Sequence, residues 1–212
     1  MVTKSKEIIF EGKQIDIALA ILFVIMAFAS VRWAVNAEDL LVQLVLLGSV
    51  PIDILGAYSF LVRRPVMMPT MTDEVLVPFL SFFSPILVLN TVLLPSESYS
   101  IPIGAIIAVP GVALTIYSLA HLKRSFAILP AVRDVVTGGP YRLVRHPLYL
   151  GEALYLLGLM FVLFNSISVL LFVISLALMV ERIKMEERKM MTHPGYKDYA
   201  GRVRYRLIPM IY

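Results

Sequence analysis

Arg145, His146 and Pro147, followed by Tyr149 and Gly151, stand where a basic loop runs into a long apolar stretch; Glu186 and Glu187 stand where that stretch ends. Pro147 suits the first turn of a helix, where its missing N–H costs nothing. His146 would then cap that helix, beside backbone N–H groups that attract anions. A cation and an imidazole at one end, with two adjacent carboxylates at the other, suit a ligand that carries both signs of charge. This holds only if the intervening stretch folds back on itself and brings the two ends together. The alternative is bland: an interfacial arginine at a helix start, and a solvated helix end where Arg182, Arg188 and Lys189 offset the acids by tenths of a kcal/mol per pair.

Those residues must be positioned by membrane helices. The chain has 212 residues, 59% of them hydrophobic and 16% charged, with a mean hydropathy of +0.83, far from the soluble norm. A bilayer core of ~30 Å takes about 20 apolar residues per helix. Four stretches meet that length, roughly residues 15–35, 40–62, 74–94 and 101–121. A fifth, residues 148–184, is too long for one span and breaks at Asn165-Ser166 into two short helices. The sequence therefore predicts an all-α integral membrane protein of about six transmembrane helices, the last two a tight hairpin beside a cytoplasmic pocket. Residues 1–121 form the N-terminal helices, and residues 122–212 a C-terminal region of loop, helical hairpin and amphipathic tail within the same membrane domain.

Charge placement orients it. With both termini cytoplasmic, every one of the 19 lysines and arginines except Arg32 falls on the inside, as the positive-inside rule demands. Anionic lipid accounts for the basic residues, so nucleic acid is not expected as a partner. The absence of cysteine excludes disulfides and thiolate chemistry.

Few other polar residues enter the spans. Asp53 lies mid-span beside Pro51, and an intramembrane acid is a functional candidate by default, although a protonated or helix-bonded carboxyl is the simpler reading. Pro85 and Pro110 mark kinks that neighbouring helices accommodate. Met67 and Met68 read as loop packing, and His121 as an interfacial residue. The segment from Lys123 to Pro147 is long enough to be a functional loop, and its Gly138-Gly139-Pro140-Tyr141 is a turn signal. Gly151, Tyr155 and Gly158 give the following helix one face small enough for close approach of a neighbour or a ligand. Tyr196, Tyr199 and Val203 recur as one face of a short amphipathic tail helix.

From Arg124 to Pro209 the pattern resembles the isoprenylcysteine carboxyl methyltransferases and their phospholipid methyltransferase relatives. The resemblance rests on Gly139-Pro140-Tyr141, Arg145-His146-Pro147-Leu148-Tyr149-Leu150-Gly151, the Glu186-Glu187 pair and Gly195-Tyr196-Lys197-Asp198-Tyr199, in that order and spacing. It implies an S-adenosylmethionine-dependent enzyme. The cofactor would lie between hairpin and loop, lined by Tyr141, Arg145, His146, Pro147, Tyr149, Gly151, Glu186 and Glu187. A lipophilic methyl acceptor, a prenylcysteine carboxylate or a lipid head group, would enter between helices from the membrane lipid. Arg202 would orient an acceptor carboxylate. Methyl transfer needs positioning and electrostatics rather than a metal.

Two departures from the pattern stand out. Thr192-His193-Pro194 precedes Gly195 where the family carries an aromatic residue. The ending Tyr205-Arg206-Leu207-Ile208-Pro209-Met210-Ile211-Tyr212 is similar to that of membrane sterol reductases, which use NADPH. Those enzymes place an Arg-Asp-Glu-type motif where this chain has Met185-Glu186-Glu187. A reductase and a non-enzymatic membrane scaffold are the alternatives to a methyltransferase.

Overall fold

A computed structural model describes residues 7–8, 13–62, 70–71, 74–91, 101–128 and 134–211. Lys4, Lys6, Arg63, Arg64, Met67, Met68 and Arg133, used or interpreted above, lie outside the described residues. Among the described residues eight α-helices follow one another: α1 (Lys13–Asn36), α2 (Leu40–Leu47), α3 (Ser49–Val62), α4 (Leu76–Asn90), α5 (Ile101–Leu122), α6 (Pro147–Val162), α7 (Ser166–Met190) and α8 (Pro194–Arg202). A two-residue antiparallel pairing of Glu7–Ile8 with Thr70–Met71 is the sole sheet among the described residues.

Four helical rods, Lys13–Asn36, Leu40–Val62, Ile101–Ser125 and Ser166–Met190, are long and apolar enough to cross a membrane; α4 and α6 are apolar but shorter. This is the architecture of a multi-pass membrane protein. Its outward faces carry large apolar residues such as Ile25, Phe28, Ile106, Leu170 and Val173, as lipid contact requires. The stretch 40–62 does not form one continuous helix. It steps at Gly48, where an added Cβ would stand 2.9 Å from Val112 Cγ2 of α5. Asp39 starts α2 by accepting from Leu41 N at 2.7 Å and Val42 N at 3.2 Å.

The break at Asn165 is a capping box. Asn165 Oδ1 accepts from Ser168 N at 2.9 Å, and Ser168 Oγ accepts from Asn165 N at 3.1 Å. The two helices are nevertheless unequal, 16 and 25 residues, because α7 runs on through the Glu186-Glu187 pair to Met190. They are also less of a pair than the short connection suggests. α6 packs chiefly on α5, and α7 on α4. The small face of α6 explains this: added Cβ atoms at Gly151 and Gly158 would stand 2.9 Å from Gly111 O and 2.5 Å from Gly104 O of α5. Only glycine permits that backbone approach. The face anticipated for a neighbour or a ligand is thus taken by a neighbour. Pro110 lies inside α5 and Pro85 inside α4.

Phe23 of α1, Phe60 of α3, Phe82 of α4 and Phe126 of the loop after α5 interlock, with ring centroids 5.4–6.4 Å apart. They knit the N-terminal helices onto the C-terminal region. A second cluster, Tyr141 with Tyr196 and Tyr199, seats α8 against the loop. The tail helix therefore packs on the protein through the two tyrosines predicted for its buried face.

Candidate functional site

The Gly138-Gly139-Pro140-Tyr141 turn forms a short 3-10 helix (Gly139–Arg142). Gly139 has φ +56°, a conformation that favours glycine, and His121 of α5 covers it so closely that a Cβ would meet the imidazole Nε2 at 2.3 Å. His121 is held in turn by Tyr117 O, 2.8 Å from Nδ1. It is a structural cover for the turn that delivers Tyr141.

From Arg145 the chain is paired with its own tail. Arg145 N donates to Tyr205 O at 2.9 Å and His146 N to Arg206 O at 2.8 Å. The Arg145 guanidinium adds bonds from Nη1 to Val203 O at 3.0 Å and Arg204 O at 3.1 Å. At the centre lies Glu187, 3% exposed. Its carboxylate accepts from Arg145 Nε at 2.6 Å and Nη2 at 3.1 Å, Arg206 Nε at 2.7 Å and Tyr196 Oη at 3.3 Å, and lies 3.1 Å from His146 Nε2. His146 thus meets this carboxylate, so Nε2 carries a proton. Glu187 ties helix α6, helix α7, α8 and the tail into one knot.

Glu186, the next residue round the helix, faces elsewhere. Its Oε1 accepts from the Tyr149 hydroxyl and lies 3.4 Å from Arg182 Nε, one turn earlier on α7. Arg182 is 2% exposed. It donates from Nη2 to Ile128 O at 2.8 Å and stacks over the Tyr149 ring, with Cζ 4.9 Å from the centroid. Lys189 pairs with Glu74 just before α4 rather than with the glutamate pair.

Two cavities meet here. The first is lined by the polar Asp134, Tyr141, His146 and Glu186 and by apolar residues that include Leu122, Val135 and Met190. It holds about 780 Å³ of space, part of it open to solvent. Tyr141 is buried, and its hydroxyl oxygen has no hydrogen-bond partner among the described residues. Burial, with Tyr199 and Glu186 adding to it, pushes the Tyr141 phenol well above its ordinary range, so it remains a hydrogen-bond donor. The second cavity, about 910 Å³ with the space open to its surroundings included, lies among α1, α3, α4, α5, α6 and α7. Its wall is mostly apolar, but Asp53, Glu152 and Arg182 line it. Phe126, Leu148 and Tyr149 line both cavities.

Of the residues singled out in the sequence, Tyr141, Arg145, His146, Tyr149 and Glu186 line the first cavity. Pro147 is buried at the start of α6, Gly151 faces α5, and Glu187 is engaged in the knot behind the wall. Arg202, exposed at the end of α8, lines neither cavity. Sequence reasoning passed over Glu152 and took Arg182 for a solvated partner. The signal was present for Glu152, the sole charged residue between Pro147 and Phe164, since an intramembrane charge calls for a function.

The comparisons agree with the C-terminal pattern. Residues 104–192 match the model of the isoprenylcysteine carboxyl methyltransferase (ICMT) family, a stretch running from α5 through the site to the end of α7. By that match the chain is similar to a family of membrane methyltransferases. No curated protein matches it.

Proposed function

We propose that this membrane methyltransferase-like chain transfers a methyl group from S-adenosylmethionine to a lipophilic acceptor. The polar cavity holds the cofactor and the apolar cavity the acceptor. The observation that carries the reading is the shared lining: Tyr149, Phe126 and Leu148 line both cavities, of which the first carries the larger share of polar groups. A reaction between a zwitterionic nucleoside and a lipid needs those two environments side by side.

The residues fit the cofactor. The lining offers both polar groups (Asp134, Tyr141, His146, Glu186) and apolar ones (Leu122, Val135, Met190), the mixture a zwitterionic nucleoside needs. Both contacts to Glu186 fall on Oε1, leaving Oε2 to accept from ribose hydroxyls or the amino group. The Tyr141 hydroxyl donates to an acceptor atom of the ligand, and Leu122, Val135 and Met190 flank an aromatic base. Bound there, S-adenosylmethionine supplies an electrophilic methyl group on a positively charged sulfur. The chain's part is positioning: Arg182 and Glu186 lock the Tyr149 ring at the boundary, and the apolar lining excludes water from the acceptor. The distribution of lysine and arginine supports a cytoplasmic position for this end of the bundle and for both termini.

Tyr141→Phe and Glu186→Gln test the placement. Each removes one polar contact while keeping shape, and each is expected to weaken S-adenosylmethionine binding by about tenfold, the size of one lost hydrogen bond of ~1.4 kcal/mol. Tyr141→Phe should keep the thermal stability of wild type, whereas Glu186→Gln also removes the counter-charge of the buried Arg182 and should melt earlier. Unchanged affinity in both variants, measured by titration of the purified protein, contradicts the placement.

A further inference from the structure

We infer that the acceptor chamber selects a lipophilic amine, held by the carboxylates of Asp53 and Glu152; the inference rests on the methyltransferase reading and narrows its acceptor class. The chamber's walls are built for hydrocarbon: Phe23, Phe82, Leu89, Leu119 and Leu159 line it. Into this lining come two acids from different helices, Asp53 of α3 and Glu152 of α6. Asp53 is 5% exposed, and its Oδ2 is buried without a hydrogen-bond partner among the described residues. A polar oxygen so placed in hydrocarbon is costly unless something donates to it. The other polar groups nearby are occupied: Ser49 Oγ donates to Ser30 Oγ at 2.7 Å, and Thr115 Oγ1 to Gly111 O at 2.9 Å.

Arg182 is the chamber's one cation among the described lining residues, and it is only partly engaged: its buried Nε makes no hydrogen bond. It has Glu186 as its ion partner, Ile128 O as acceptor and the Tyr149 ring beneath it. A lipid carboxylate would have to draw Arg182 from Glu186 while approaching two acids. An ammonium meets the excess of acid directly. Glu152 stands three residues after Tyr149 on α6, on the same side of the helix, so an amine held there lies beside the boundary with the cofactor chamber.

The transfer balances. The bound ammonium gives one proton to Glu152, and the freed nitrogen lone pair bonds the methyl carbon of the sulfonium donor. The carbon–sulfur bond breaks with its electron pair remaining on sulfur. The methylammonium product keeps the Asp53 carboxylate as its counter-ion. A quaternary ammonium, lacking a lone pair, would bind but not react.

The test uses three probes of equal chain length on the full-length protein in detergent: dodecylamine, dodecanoic acid and dodecanol. Saturable binding of labelled dodecylamine is expected, with the acid and the alcohol at least about tenfold weaker as competitors, the margin of one charge-assisted contact. Asp53→Asn and Glu152→Gln should each weaken dodecylamine by about the same factor. Absence of saturable amine binding overturns the inference. So does equal or better competition by the acid or the alcohol, or wild-type amine affinity in both variants. The wild-type comparison stands even if a variant does not fold. S-adenosylmethionine binding, measured in parallel, separates the two claims: its loss with amine binding retained sinks the methyltransferase reading alone.

Discussion

Glu187→Ala should unfold the site rather than merely disable it. The carboxylate has Arg145, Arg206, His146 and Tyr196 around it, and the Arg145 and His146 side chains are 8% and 9% exposed. Truncating it leaves at least one guanidinium buried without its counter-charge. Breaking a buried pair from one side costs about 3–5 kcal/mol. For a chain of this size that is a fall in melting temperature on the order of 10 °C. Arg145 also holds the carbonyls of Val203 and Arg204, so the tail should detach in the same step. Protease sensitivity after residue 202 and loss of cofactor binding should therefore appear together. Tyr141→Phe, whose hydroxyl has no partner among the described residues, should instead lower affinity with little change in melting. A Glu187→Ala protein that melts like wild type would show that the knot is not structural.

Gly158→Val should be the more damaging of the packing changes. Its Cβ would stand 2.5 Å from Gly104 O and 2.6 Å from both Ala108 N and Ala108 Cβ. Two of those atoms are backbone, so no rotamer change relieves the contact, and α5 and α6 must separate. Overpacking a core costs about 1–3 kcal/mol where neighbours can yield; here they cannot, and the expected loss is at the upper end or beyond. The seam also carries the site, because the last turn of α5 holds the His121 that covers Gly139, and α6 begins at Pro147. Size-exclusion profiles and melting in detergent provide the measure: an aggregated or strongly destabilised Gly158→Val protein is expected. Gly201→Ala is the control, since a Cβ there meets nothing within 4 Å. Equal behaviour of the two variants would contradict the seam.

The legible parts of this fold are those with a local cause. The break at Asn165 was readable because polar capping residues interrupt an apolar run, and the tail helix because two tyrosines share a face. The Arg145, His146 and Glu187 association followed from a chain that folds back on itself. What required the structure was non-local. Nothing in the sequence says that Gly48 steps a span, or that residues 205–206 pair with residues 145–146. Two adjacent glutamates look alike in sequence, yet the rotation of one residue about the helix gives Glu187 to a cage of donors and Glu186 to a cavity. Arg182 reads as a helix-end charge until its carbonyl partners before residue 129 are seen. Glu152 was overlooked because the apolar run around it dominated the reading of that segment.

The most direct measurement is equilibrium binding of S-adenosylmethionine and of NADPH to the same detergent-purified protein. Saturable binding of S-adenosylmethionine and none of NADPH is the predicted result. Binding of NADPH alone would move the chain to reductase chemistry, and binding of neither by a folded sample would contradict an enzyme built around this cavity.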